Sequence, residues 1–191
     1  MTHTDPELVT PVLLKLREAG CVIHTGDDWV RIERNGKRLE PFMIRTEPHP
    51  GFPTDMQAQL SVLATLANGT SSITETIFEN RFMHMAELSR MGADISLAGN
   101  TATVRGVDSL AGAAVMASDL RASAALVIAG LAAEGLTEVL RIYHLDRGYE
   151  NLVQKLLGVG ARIARVSDAI RDPETLAQAV SHASGADAQA S

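Results

Sequence analysis

A short signature recurs three times along this chain and constrains its fold more than any other feature. A helical pattern ends in Gly, followed by a small residue, any residue and Ile: Gly20-Cys21-Val22-Ile23, Gly92-Ala93-Asp94-Ile95 and Gly160-Ala161-Arg162-Ile163. The copies stand at intervals of about 70 residues, the mark of a repeat in which no unit buries its helix alone. Glycine after a helix supplies the left-handed residue that closes the last turn. A second correspondence sets Asp55…Gly69-Thr70 against Asp119…Gly135 followed by Thr137. Each unit reads as helix, strand, helix, strand, strand, with repeats at about 6–47, 53–117 and 118–166. The expected class is α/β (α+β by some criteria), with the three units layered around shared central helices.

In chain order, Thr10-Pro11 reads as cap and first residue of a helix over 11–19, closed by Gly20. Strands are expected over 21–24 and 29–34, then at 40–46, with Asn35-Gly36 as a turn. The stretch Pro50-Gly51-Phe52-Pro53 forces an extended, turning backbone before a helix over 55–67. A strand at 72–77, a helix at 82–90 and a hairpin of 94–97 with 101–105 follow. The helix over 120–133 is apolar on nearly every side and is expected to lie buried between layers. Strand 136–143, helix 148–157 and a last strand 161–166 complete the pattern. Residues 167–191 turn into Ala, Ser, Asp and Gln, expected as a flexible tail with a short helix starting at Asp172-Pro173-Glu174 and disorder over 185–191.

With 191 residues, 46% of them hydrophobic, the chain can bury a substantial core. A net charge of −6 without a basic stripe argues against a nucleic-acid surface. One cysteine permits no internal disulfide framework and suits a reducing cytoplasm. Residues 1–15 lack the pattern of a signal peptide. The longest apolar run, 122–133, falls short of the ~20 residues of a membrane helix, so a soluble, cytoplasmic chain is expected. The six histidines form no i, i+4 pair and have no Cys partner, so no metal or other cofactor is expected.

Two helix starts carry the chemistry. Asp55 opens one and Asp119 the other, with Arg121 standing where Gln57 stands in the first. A carboxylate and a guanidinium at corresponding helix starts can face one cleft, although spacing alone favours reading both aspartates as caps. Spacing alone likewise makes Arg81 and Arg147 surface partners of Glu79 and Glu150, and Arg121 a snorkelling helix residue.

Residues 48–59, 73–82 (Ile-Thr-Glu-Thr-Ile-Phe-Glu-Asn-Arg-Phe), 119–123 and 144–150 (His-Leu-Asp-Arg-Gly-Tyr-Glu) shift that balance. Together they closely resemble the UDP-N-acetylglucosamine 1-carboxyvinyltransferase family of enolpyruvyl transferases, over residues 10–166. The sister family, 5-enolpyruvylshikimate-3-phosphate synthase, shares the fold but differs at these motifs. The resemblance implies an inside-out α/β barrel-like domain of three repeats, helices inside and sheets outside. It covers only the family's C-terminal domain, here 1–166. The family's first domain, with a Lys-Asn pair, a loop bearing a reactive cysteine and much of the uridine surface, is expected elsewhere, in cis or in trans. Cys21 echoes that loop, but the Gly-x-Arg-Pro that should follow is missing, and the repeats place it with Ala93 and Ala161 as a small core residue.

By the same resemblance, Asp55 falls on the aspartate that takes the proton of the sugar 3′-hydroxyl as it attacks C2 of phosphoenolpyruvate. Arg81 and Arg121 fall on arginines that grip the enolpyruvyl carboxylate. Arg147 falls on a phosphate-binding arginine at a helix start, and Ile77 on a position whose backbone meets the nucleotide sugar. Glu75 is read as a structural partner of nearby arginines. The implied activity is enolpyruvyl transfer from phosphoenolpyruvate to UDP-N-acetylglucosamine. The alternative is a stand-alone relic that binds a nucleotide sugar or a partner protein without chemistry.

Overall fold

A computed structural model describes residues 1–167 and 172–186. After a 3-10 turn at Pro6–Val9 come α1 (Thr10–Glu18), β1 (Val22–Thr25), β2 (Val30–Glu33) and β3 (Met43–Arg45). The middle of the chain holds α2 (Gln57–Thr65), β4 (Thr70–Thr74), α3 (Met83–Arg90), β5 (Asp94–Ala98) and β6 (Thr101–Arg105). Then follow β7 (Ala114–Met116), α4 (Leu120–Ala132), β8 (Glu138–Leu140), α5 (Tyr143–Asp146), α6 (Leu152–Leu157) and α7 (Pro173–Ala186).

The repeated glycines do the same work three times. Gly20, Gly92 and Gly160 have φ of +91°, +93° and +85°, a region open to glycine and costly for residues with a Cβ. Behind each, the next amide reaches five residues back to close the helix: Cys21 N–H to Leu16 O at 2.9 Å, Ala93 to Leu88 at 3.1 Å and Ala161 to Leu156 at 3.0 Å. Cys21 thus occupies the repeat position assigned to it. It is half-buried, however, and not part of the core.

Strands enclose the central helices. A mixed sheet in the order β3-β4-β6-β5 has β3 parallel to β4 and the other neighbours antiparallel. Its inward residues Ile44, Ile73, Ala102 and Val104 form one core with Leu60, Val62, Met85, Leu88 and Leu126. The parallel pair β7–β8 repeats the β3–β4 arrangement around α4, and β1–β2 form a separate hairpin. A smaller cluster, Ala124, Val127 and Leu145, joins α4 to α5.

Several expectations need correcting. The strand expected at 161–166 is irregular: Ile163 is half-buried against the α4–α5 cluster, and Arg165 is held by two bonds to Asp146, at 2.8 and 2.7 Å. The strand at 136–143 shrinks to β8 because Arg141 turns at φ +61°, and the helix at 148–157 starts late because Asn151 turns at φ +50°. The short strand β7 had no sequence signal. The unit order helix, strand, helix, strand, strand is complete only from α2 to β6. The helix expected to start at Asp172-Pro173-Glu174 is present as α7, longer than the short one expected, and Asp172 caps its first turn by accepting from Thr175 N–H at 2.8 Å. Of the disorder expected over 185–191, residues 187–191 lie outside the described residues. Finally, α4 is less enclosed than its composition implies. Ile128 and Leu131 remain 36% and 41% exposed, whereas α2 buries eight of its nine residues.

Gly106 is where strand and helix connections come closest, since a Cβ there would overlap the Ala67 carbonyl. Gly106→Ala is expected to cost about 1–3 kcal/mol or more, as overpacking against rigid backbone does. Gly36→Ala, where the added carbon meets nothing, should cost only the strain of its positive φ. Urea unfolding of the two variants checks this order.

Candidate active site

The chain enters α2 through a 3-10 turn, Thr54–Met56, in which no side chain caps the helix. Asp55 is therefore free of the capping role that spacing favoured, and its exposed carboxylate meets two arginines. Asp55 Oδ1 accepts from Arg121 Nε at 2.8 Å, is ion-paired with Arg121 Nη2 also at 2.8 Å, and lies 3.5 Å from Arg81 Nη1. The bond from Arg121 holds the Asp55 carboxyl below its ordinary range and raises the guanidinium in return. Asp119 is a cap, its Oδ1 accepting from Arg121 N–H at 2.8 Å and Ala122 N–H at 3.0 Å. Counted back from the helix ends, Thr54 rather than Gln57 stands opposite Arg121.

Arg81 leaves the loop between β4 and α3, just after Asn80 turns at φ +60°. Its guanidinium lies 4.4 Å over the Phe78 ring, and its Nη1 donates to Thr54 Oγ1 at 2.6 Å. Its backbone carbonyl accepts from Gln57 Nε2 at 3.5 Å. Glu75 is buried, but it does not pair with an arginine as expected. Its Oε1 accepts from Thr46 Oγ1, Ile77 N–H and Phe78 N–H at 2.7, 2.8 and 3.1 Å, and its Oε2 from Thr54 Oγ1 at 2.8 Å. Burial alone would push this carboxyl up, yet the four donors hold it below the ordinary glutamate range. Ile77 is exposed at the surface, its amide fixed by Glu75.

Arg147 stands apart. It is exposed and ends α5 instead of starting a helix, since α6 begins only at Leu152. Its turn does abut the helix starts. Tyr149 OH accepts from Gln59 Nε2 of α2 at 3.4 Å, and Gly148 lies so close to Leu120 of α4 that a Cβ would overlap it. No hydrogen bond or ion pair joins Arg147 to Asp55, Arg81 or Arg121 among the described residues. The surface pairs suggested by spacing are also absent there, Glu150 facing Lys155 at 3.8 Å.

Nothing in the residue pattern marked Thr46, Gln59 or His84. Gln57 and Gln59 are the better signal in hindsight, as amides at the start of an apolar helix. Among the described residues, Gln57 Oε1, Gln59 Oε1 and His84 Nε2 are buried without a hydrogen-bond partner. Burial pushes the His84 pKa down to about 4, against a smaller opposing effect of Asp119. Cys21 lies on the far end of α1, and burial pushes its thiol up, away from nucleophilic use. No three His, Cys, Asp or Glu side chains gather to hold a metal among the described residues. No described helix is long and apolar enough to cross a membrane.

A carboxylate shared by two guanidiniums, exposed just before a helix, gathers charged groups that can meet an anion. The chain belongs to the EPSP synthase family, 3-phosphoshikimate 1-carboxyvinyltransferase, which residues 2–156 match. Within it, the chain is 61% identical over 165 residues to UDP-N-acetylglucosamine 1-carboxyvinyltransferase of Psychrobacter sp. (strain PRwf-1), covering 86% of this chain and 38% of the relative. The enzyme of that name from Shewanella sp. (strain ANA-3) is 60% identical over 162 residues, covering 85% and 39%. The chain thus spans less than two fifths of the length of these relatives. The enolpyruvyl transferase NikO from Streptomyces tendae superposes with a TM-score of 0.75 at 31% identity, over 83% of this chain and 38% of that one. EPSP synthase from Acinetobacter baumannii, at 18% identity and a TM-score of 0.60, covers 83% of this chain and 37% of its own and shares the fold.

His84 sets a pH dependence. Its folded pKa of about 4 lies below the ordinary 6.5, so protons bind the unfolded chain more readily. Its contribution is fully present above that ordinary value and is lost as pH falls toward the folded one, by about 3 kcal/mol at most. Urea unfolding at neutral and mildly acid pH should show this loss, and His84→Gln should flatten it.

Proposed function

We propose that this chain serves enolpyruvyl transfer from phosphoenolpyruvate to the 3′-hydroxyl of UDP-N-acetylglucosamine, with release of phosphate, in cytoplasmic peptidoglycan synthesis. Residues 1–166 form the substrate-binding domain in this reading, completed by a further domain in cis or in trans. What supports it is the convergence of Asp55, Arg81 and Arg121 in a chain so similar to enzymes of that name.

In this mechanism Asp55 takes the hydroxyl proton as the oxygen attacks C2. A carboxylate with an ordinary pKa near ~3.9, lowered further here by Arg121, is a weak base for an alcohol, so proton transfer accompanies C–O bond formation. Register between the two substrates then counts for more than basicity. Arg81 and Arg121 offer planar forks to the enolpyruvyl carboxylate, each charge-assisted bond contributing about 1.5–3 kcal/mol. Arg147, exposed and without an ion-pair partner among the described residues, takes the phosphate. The Ile77 backbone, held by Glu75, lines the nucleotide-sugar side. The proton for C3 and the remaining phosphate contacts come from the further domain, which also excludes water from the cleft.

The test is phosphate release from UDP-N-acetylglucosamine and phosphoenolpyruvate. The chain alone should give none, and mixing it with a separately expressed first domain of a relative should restore turnover. In that mixture Asp55→Asn should lower turnover by roughly 10²–10⁴-fold with little change in substrate affinity. Turnover by the chain alone would refute the need for a further domain, and substrate binding without turnover on mixing would favour the relic.

A further inference from the structure

The Thr54 hydroxyl has one proton and lone pairs to accept with, and both capacities are in use. It accepts from Arg81 Nη1 at 2.6 Å and donates to Glu75 Oε2 at 2.8 Å. Thr46 repeats the arrangement on the other carboxylate oxygen, accepting from Thr76 N–H at 2.8 Å and donating to Oε1 at 2.7 Å. A guanidinium only donates. It can therefore meet Thr54 only when the hydroxyl proton points elsewhere, and a buried carboxylate is what draws that proton away. Glu75 is 3% exposed and takes four donors. It is thus saturated, and unsuited to exchange protons with a substrate.

We propose that Glu75 is the positioning residue for Arg81. It fixes the Thr54 hydroxyl so that a lone pair faces the guanidinium, and it ties the same loop down through the amides of Ile77 and Phe78. One buried charge thereby sets both the Arg81 side chain and the backbone at Ile77, which otherwise meet only through the loop between them. The consequence for substrates rests on the function proposed above; the orientation of Arg81 does not.

The experiment needs no substrate and so stands apart from the turnover test. In the 15N-labelled 191-residue chain, the Arg81 Nε–Hε resonance is assigned by its loss in Arg81→Lys. Thr54→Val and Glu75→Gln should each displace it, and the double variant should displace it no further than either alone. Thr46→Val, which breaks the other arm, should leave it in place. Thr54→Ser, which keeps the hydroxyl, should restore the wild-type position. Should Glu75→Gln fail to fold, the Thr54→Val and Thr54→Ser pair still decides. Additive displacements, an unmoved Arg81 in folded Glu75→Gln, or a Thr54→Ser resonance like that of Thr54→Val would each overturn the proposal.

Discussion

Helix α2 is closed in on all sides, and most of the architecture answers that constraint. It packs on α3, α4, β4 and β6. A helix in that position has no water for its polar groups, and an unmade buried hydrogen bond costs about 1–3 kcal/mol. Ser61 Oγ therefore turns back to Gln57 O at 2.8 Å and Thr65 Oγ1 to Val62 O at 2.7 Å. The C-terminal end is covered by Arg38, whose guanidinium reaches Leu66 O, Ala67 O and Val107 O at 3.4, 3.2 and 2.5 Å. That charge also suits the negative end of the helix. What opens to the surface is the 3-10 turn before it, where Asp55 is exposed, and the candidate site is there.

Much of this was legible in the residues. The glycine signature marked three helix ends correctly, because a left-handed residue after a helix is a local requirement that tertiary contacts cannot waive. The hairpin of β5 and β6 was equally local. Elements whose existence depends on distant neighbours were harder. β7 has three residues and exists only because β8 lies alongside it. The stretch around Ile163 carries the same signature as its two counterparts yet forms no strand. Composition also misled on which helix is most enclosed. The more apolar α4 keeps an open side, while α2, with Gln, Ser and Thr, buries every residue but Leu63.

The site was legible to the extent that charge makes it so. Asp55 and Arg121 were visible as a carboxylate and a guanidinium at two helix starts, and they meet. Asp119 resembles Asp55 in sequence context, yet only it caps, because α2 is entered through a 3-10 turn and α4 directly. The threonine that connects Arg81 to Glu75 was not visible in that role. A hydroxyl in a strand or a turn is unremarkable until the fold shows what lies on either side of it.

The pairing of Asp55 with Arg121 changes what binding an anion here means. A carboxylate arriving at Arg121 does not find a bare cation but one whose charge is already answered, by a group within the same molecule. Binding is then an exchange of one partner for another, with the number of ion pairs conserved. Charge attraction nearly cancels from such a swap, as both sides of it contain the same kind of contact. Asp55 meets both arginines through a single oxygen, so the newcomer prevails through what that oxygen lacks, such as two oxygens that take one guanidinium each. Selectivity in an exchange of this kind comes from shape, and the displaced aspartate is left beside whatever displaced it.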